Sequence, residues 1–227
     1  VIEVWTSKPL ALDSPDHRYP HGTANDNYTN AKFNQKLYDL IPARDVRLLD
    51  LGCAGGGFVK SILDDGGFAI GIEGSNYSKW WRRAEWPKIP NNLFTADITE
   101  PFDIWLDHEI ITDFNVITAW EFFEHLPPSR LSFVLKSNVL GKLSPDGLVI
   151  GSIGDKSYEV NGTEYHQTIM PRDQWLELFA ANGLDYVDDL AQHFGQDLVR
   201  NASNTPSSFP IFLRSRKEFS PDANHGS

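Results

Sequence analysis

The chain of 227 residues has one cysteine, Cys53. A lone thiol excludes an internal disulfide framework and fits a reducing compartment, so a cytoplasmic protein is expected. No window is apolar enough to span a membrane, and the first residues lack the charged-then-apolar pattern of a secretion signal. The three Asn-x-Ser/Thr sequons, at Asn27, Asn161 and Asn201, therefore read as chance rather than as glycosylation sites. Positive charge is scarce: 20 Lys and Arg stand against 31 Asp and Glu, a formal net charge of −11. Nucleic-acid binding depends on neutralising phosphates, so an acidic chain without a basic run is expected to take no nucleic acid as partner. The opening residue is Val1 rather than Met, as expected of a chain trimmed or excised from a larger polypeptide.

What is present suits one large domain with a sizeable core, at 41% hydrophobic residues. Residues 1–27, rich in Pro, Asp, His and Asn without a sustained period, read as an irregular N-terminal arm or lid. A domain over 28–214 follows, and 215–227 reads as a loose, charged tail. Over 28–40, Ala31, Phe33, Leu37 and Leu40 recur at near-helical spacing, and Pro42 closes that helix. Apolar runs at 46–51, 68–72, 93–95 and 115–119 predict four strands. Helices are expected through Phe58, Val59, Ile62 and Leu63, over the Trp-rich stretch 76–85, and over 131–143. Pro145-Asp146-Gly147 predicts a turn into a strand at 148–153. The remainder reads as a polar loop at 154–170, a helix at 171–182 with Gly183 past its end, and strands at 186–190 and 209–213. Strand and helix alternate from 46 to 153, which predicts an α/β, doubly wound, mostly parallel sheet.

The most informative stretch is Leu48-Leu49-Asp50-Leu51-Gly52-Cys53-Ala54-Gly55-Gly56-Gly57-Phe58. A strand ending in glycines at a helix start lets backbone approach a ligand closely, at the sheet edge where such folds bind cofactors. Glu73 ends the next strand, 21 residues past Gly52, a spacing that suits a carboxylate accepting both ribose hydroxyls of a nucleoside. An ordinary tight turn is the bland alternative. Of nucleoside cofactors, a dinucleotide requires Gly-x-Gly-x-x-Gly, and Ala54 stands where its second glycine belongs. Asp50 would also repel a pyrophosphate, whereas the ammonium and sulfonium of a methyl donor favour a carboxylate.

Asp50-Leu51-Gly52-Cys53-Ala54-Gly55-Gly56 resembles motif I of the class I S-adenosylmethionine-dependent methyltransferases. Gly71-Ile72-Glu73-Gly74-Ser75 is similar to their acidic ribose loop, and Phe94-Thr95-Ala96-Asp97-Ile98 to the segment whose Asp meets the adenine amino group. Lys142-Leu143-Ser144-Pro145-Asp146-Gly147-Leu148 resembles their turn before the fifth strand. The resemblance covers residues 30 to about 190. It implies a Rossmann-like, seven-stranded sheet with its last strand antiparallel. It also implies S-adenosylmethionine as cofactor, contacted by Asp50, Gly52, Cys53, Ala54, Gly55, Phe58, Glu73, Gly74, Ser75, Asp97, Ile98 and Trp120.

Acceptor chemistry points to Trp120-Glu121-Phe122-Phe123-Glu124-His125. Methyl transfer to a hydroxyl needs the acceptor oxygen aligned with the methyl and relieved of its proton, by a base or a metal. Glu121, Glu124 and His125 offer two carboxylates and an imidazole within five residues, and a helix start there would bring 121 beside 124 and 125. The Glu-x-x-Glu-His spacing resembles the small-RNA terminal 2′-O-methyltransferases, in which these positions and a later His hold a divalent ion, and the quinone-biosynthesis O-methyltransferases. His166 is the expected later ligand, making Glu121, Glu124, His125 and His166 a site for Mg2+ or Mn2+. The alternatives are that Glu121 packs near the donor while Glu124 and His125 merely cap the helix, or that His125 or His166 acts alone as general base.

Trp80, Trp81 and Trp86 are expected to pack in the core rather than wall the donor pocket. His21, Asp26 and Tyr28 lie where related enzymes close a lid, or are simply solvated. The 114–121 stretch, with Ala84-Glu85-Trp86-Pro87 and His166-Gln167-Thr168, resembles methyltransferases that accompany glycosyltransferases in surface-glycan gene sets. The expected activity is therefore sugar or glycan O-methylation, in a chain fused to or associated with glycosyltransferase domains. A phenolic or quinone-type small-molecule acceptor is the alternative, and an inactive donor-binding module a third reading.

Overall fold

The computed structural model describes residues 1–200 and 208–216. Its strands are β1 (Ile2–Thr6), β2 (Arg47–Leu51), β3 (Phe68–Glu73), β4 (Leu93–Thr95), β5 (Phe102–Leu106), β6 (Glu109–Ile110), β7 (Phe114–Trp120), β8 (Leu143–Gly154), β9 (Glu159–Val160), β10 (Thr163–Glu164), β11 (Leu184–Tyr186) and β12 (Ser208–Ser215). Its α-helices are α1 (Pro15–Arg18), α2 (Gly22–Asn25), α3 (Ala31–Leu40), α4 (Gly57–Asp64), α5 (Tyr77–Trp80), α6 (Pro128–Phe133), α7 (Arg172–Ala181) and α8 (Asp188–Phe194).

Seven strands form the main sheet in the order β11-β12-β8-β7-β2-β3-β4. The pairs β2–β3, β2–β7, β3–β4 and β7–β8 are parallel, and β12 runs antiparallel to both neighbours. This is the doubly wound, mostly parallel sheet with an antiparallel last strand that the pattern predicts. The runs at 48–51, 69–72 and 116–119 are apolar at nearly every position because both faces of these strands are covered. Leu49, Leu51, Ile70, Ile72, Ile117 and Ala119 fill one core layer, and Leu48, Ala69 and Val116 the other, following the two-residue period of a strand. The parallel strands end at Leu51, Glu73, Thr95, Trp120 and Gly154 along one edge, which is where a ligand crevice belongs.

Several expectations are corrected. The first 27 residues are not an irregular arm: β1 pairs antiparallel with β5, and β5 with β6, in a separate three-stranded sheet. The burial of β1 alternates residue by residue, a real strand signal only five residues long. The helix over 76–85 stops after Trp80, and Arg82 and Ala84 adopt positive φ just beyond it. Trp86 packs in the core, but Trp80 and Trp81 are exposed. The helix over 131–143 continues from α6 as a π-helix, Val134–Leu140. Pro145-Asp146-Gly147 lies within β8 at a register break, since Leu143 pairs with Phe114 and Leu148 with Val116. The 154–170 loop contains the β9–β10 hairpin, turned by Asn161 and Gly162 at positive φ. The strand expected at 186–190 is β11 followed by α8, whose first turn carries Asp188 and Asp189, as suits a helix N-terminus. Of the expected loose tail, Ser215 ends β12 and Arg216 bonds Asp185. The rest of that tail and Asn201 lie outside the described residues.

Candidate active site

A cavity of about 480 Å3 opens at the carboxyl edge of the parallel strands. Its floor at one end is built by the turn after β2. Gly52 has φ +75, and a Cβ there would lie 2.8 Å from the Phe122 ring. This turn needs glycine both for its left-handed backbone and for close approach. Ala54, also at positive φ, donates its N–H to Glu73 Oε2 at 2.8 Å, and Ser75 N–H donates to Oε1 at 3.0 Å. Glu73 thus ties the two loops together across the floor while facing the cavity. Burial, then the charge of Asp16, pushes its carboxyl up to about 7. Asp50 is buried, accepts a 2.7 Å hydrogen bond from Thr118 Oγ1, and is likewise pushed up to about 7 by burial.

Gly52, Ala54, Glu73, Gly74, Asp97 and Ile98 line the main cavity. Asp97 is oriented by Thr99, whose backbone N–H and hydroxyl both donate to its Oδ1. Asp50, Cys53, Phe58 and Trp120 line an annex of about 40 Å3. Gly55 and Ser75 line neither space. Gly55 is covered by the N-terminal residues, where a Cβ would meet Asn27 Oδ1 at 2.5 Å, and Ser75 is buried beneath Glu73.

The other end of the cavity carries the acidic and imidazole groups. Glu124 is fully buried; its Oε1 accepts the Gly154 N–H at 2.6 Å, and its Oε2 has no partner. The rings of His125 and His166 lie 5.0 Å apart. One ligand atom from each of Glu124, His125 and His166 falls within 4.8 Å of the others. His166 Nδ1 lies 2.5 Å from the Lys156 carbonyl. A carbonyl only accepts, so the proton sits on Nδ1 and Nε2 keeps a free lone pair. Burial, then His166, drives His125 down to about 3, and burial lowers His166 too, so both imidazoles are neutral near neutral pH. Burial, then the neighbouring Glu121, raises Glu124 well above the usual carboxylate range.

The buried Glu124 carboxyl has one orphaned oxygen and stands beside two neutral imidazoles; a divalent cation there would favour its ionised form and supply the missing partner. Glu121 stands outside that close group. It occupies the left-handed region at φ 50, lines the cavity, and engages Ser152 and Ser208 with its side chain. Glu121, Glu124 and His125 do not share one α-helical face, because only a three-residue 3-10 turn, Phe123–His125, forms there.

The N-terminal residues roof the cavity. Asp16 accepts the N–H groups of His21, Gly22 and Thr23, all at 2.8 Å. His21 Nε2 meets Tyr158 Oη at 2.7 Å, Tyr165 Oη donates to Tyr19 O, and Arg200 pairs with Asp26 at 2.8 Å. His21 and Asp26 line the cavity, while Tyr28 lines the annex with the Arg200 guanidinium over its ring. Asp16, Tyr158 and Arg200 are site residues that sequence reasoning missed. The Asn161-Gly162 hairpin signal flags the element that carries Tyr158; nothing local flags Arg200.

No protein-family model matches the chain, and no curated protein matches it. Solved structures do. The Burkholderia thailandensis 1,6-didemethyltoxoflavin-N1-methyltransferase, with S-adenosylhomocysteine bound, superposes with a TM-score of 0.58 at 15% identity, over 88% of this chain and 84% of that one. An S-adenosylmethionine-dependent methyltransferase of Clostridium acetobutylicum gives 0.57 at 12% identity, over 85% and 94%. The CcbJ methyltransferase of Streptomyces caelestis gives 0.55 at 12%, over 92% and 97%. The chain therefore has the Rossmann-like fold of the class I S-adenosylmethionine-dependent methyltransferases.

Proposed function

We propose that the chain is an S-adenosylmethionine-dependent O-methyltransferase acting on a sugar hydroxyl with the help of a divalent ion. One observation carries the reading. A single cavity holds the Glu73 carboxylate at the Gly52 turn and, at its other end, the group formed by Glu124, His125 and His166. Glu73 receives the ribose hydroxyls and Asp97 the adenine. The annex beside Asp50, lined by Arg200 and Trp120, which each keep a buried N–H without a partner, suits the zwitterionic amino-acid end of the donor. The donor supplies a methyl on a sulfonium, and the nearby carboxylates favour that positive charge.

Glu124, His125 and His166 would hold the ion, with Glu121 close enough to influence it electrostatically. An ion bound there lowers the pKa of an acceptor hydroxyl. Two imidazoles and one carboxylate suit manganese better than magnesium, which prefers an all-oxygen shell. His21 and Tyr158, whose ring lies beside His166, and Gln167 give the cavity hydrogen-bonding walls that suit a polyol. The net charge of −11 weighs against a nucleic acid as acceptor.

Screening glycosides for methyl transfer, with and without a chelator, tests the proposal. Turnover should vanish on chelation while S-adenosylhomocysteine still binds. Full activity after exhaustive chelation would remove the metal and leave His125 or His166 as general base. Turnover confined to phenols would remove the sugar.

A further inference from the structure

The segment after β3 leaves two tryptophans largely exposed. Trp80 and Trp81 are 74% and 67% exposed, and Trp80 is the most exposed aromatic side chain among the described residues. Lys79 and Arg82, on either side, are exposed too. Among the described residues neither takes part in an ion pair, whereas Lys88 further along is paired with Glu85. From Gly74 to Ala84 there are three basic residues and no acidic one, in a chain of net charge −11.

The exposure does not come from a loose segment. Ser78 Oγ donates to Thr23 O at 2.6 Å, Arg83 Nη2 to Asp26 O at 2.8 Å, and Trp86 Nε1 to Ala54 O at 2.8 Å. Anchors therefore lie on both sides of the Lys79-Trp80-Trp81-Arg82 stretch, and all three acceptors belong to residues lining the cavity.

We propose that Lys79, Trp80, Trp81 and Arg82 form a docking surface for an anionic lipid bilayer, which the chain meets from one side. Indole rings have an apolar body and one polar N–H, and settle at the boundary between headgroups and hydrocarbon. Lysine and arginine beside them are drawn to anionic headgroups. The patch supplies both. Among the described residues no helix is long and apolar enough to cross a membrane, so contact is peripheral. A single-stranded nucleic acid fits less well, because stacking rings there accompany a track of several cations along the backbone, and here two unpaired cations stand on an acidic protein. The acidic surface farther away than about 8 Å is screened at physiological salt.

Co-sedimentation of the full chain with vesicles tests this. Phosphatidylcholine vesicles containing phosphatidylglycerol should carry down at least about tenfold more protein than phosphatidylcholine alone, and high salt should reverse it. Trp80→Ala/Trp81→Ala and Lys79→Glu/Arg82→Glu should each cut binding by about tenfold. Both variants should keep the parent thermal melting, because none of these side chains is buried. No sedimentation with the anionic vesicles, or unchanged sedimentation of both variants, would overturn the proposal. So would a single-stranded RNA that binds through Trp80 and Trp81 while vesicles do not.

Discussion

Gly154 and Glu124 hold each other in place: the Gly154 N–H donates to Glu124 Oε1 at 2.6 Å and joins the end of β8 to the turn after β7. A Cβ on Gly154 would lie 2.5 Å from His166 Cε1 and 3.1 Å from Glu124 Oε1. The absence of a side chain there is what lets the imidazole stand beside the carboxylate. Gly154→Ala should therefore push His166 aside and weaken Mn2+ binding by about tenfold or more, at a cost of ~1–3 kcal/mol from overpacking. Titration calorimetry with Mn2+ and with S-adenosylhomocysteine checks it. Donor affinity should stay at the parent value, and an equal loss of both would mean general damage to the fold.

On the proposed placement of the donor, Glu73→Ala should weaken S-adenosylhomocysteine binding by about 1–3 kcal/mol by removing the acceptor for the ribose hydroxyls. It also removes the acceptor for the Ala54 and Ser75 N–H groups, so Glu73→Gln, which keeps one acceptor oxygen, should retain more affinity. Calorimetry separates the two variants. Tight binding of a nicotinamide dinucleotide, with no binding of the homocysteine product, would reverse the donor assignment.

The core of the fold was legible because its signals are local. Four apolar runs, the glycine turn and Glu73 each declare themselves within a few residues, and the parallel strands fall where those runs stand. The roof was not legible. Tyr165 reaches Tyr19 across 146 residues of sequence and Arg200 reaches Asp26 across 174, and such contacts are set by packing rather than by any short pattern. The Trp-rich stretch misled for a related reason. Trp80 and Trp81 look like core residues by composition, yet the chain leaves the helix before a second turn could bury them. Glu121 and Glu124 share helical spacing, but the residues around them form only a single 3-10 turn, so just one of the two joins the imidazoles.

Donor binding should depend on pH, and the sign follows from burial. Asp50 and Glu73 are raised from 3.8 and 4.5 to about 7 in the free protein. A raised folded pKa means that folding favours the protonated acid. That stabilisation is complete below the ordinary values and is lost as pH rises through about 7. An ammonium and ribose hydroxyls favour the ionised forms instead, so binding should release protons. S-adenosylhomocysteine affinity should climb as pH rises from about 5 to about 8. Calorimetry in buffers of different ionisation enthalpy measures the protons released. A flat affinity with no proton release would show that neither carboxylate titrates on binding.

Arg200 offers the sharpest separation between holding the roof and holding the donor. Its guanidinium pairs with Asp26 and lies over Tyr28; Arg200 and Trp120 both line the annex, and Arg200 Nε and Trp120 Nε1 are buried without partners. A donor carboxylate in the annex would meet the Arg200 guanidinium, and a charge-assisted hydrogen bond of this kind contributes about 1.5–3 kcal/mol. Arg200→Ala should then weaken S-adenosylhomocysteine by roughly ten- to a hundredfold. It should leave 5′-methylthioadenosine, which has no amino-acid end, at nearly the parent affinity. Arg200→Lys keeps the charge but not the planar fork, and should fall between the two. If Arg200 served only to anchor the roof through Asp26, both ligands would lose affinity together, because each needs the cavity closed over its nucleoside. A loss confined to S-adenosylhomocysteine places the donor's carboxylate in the annex.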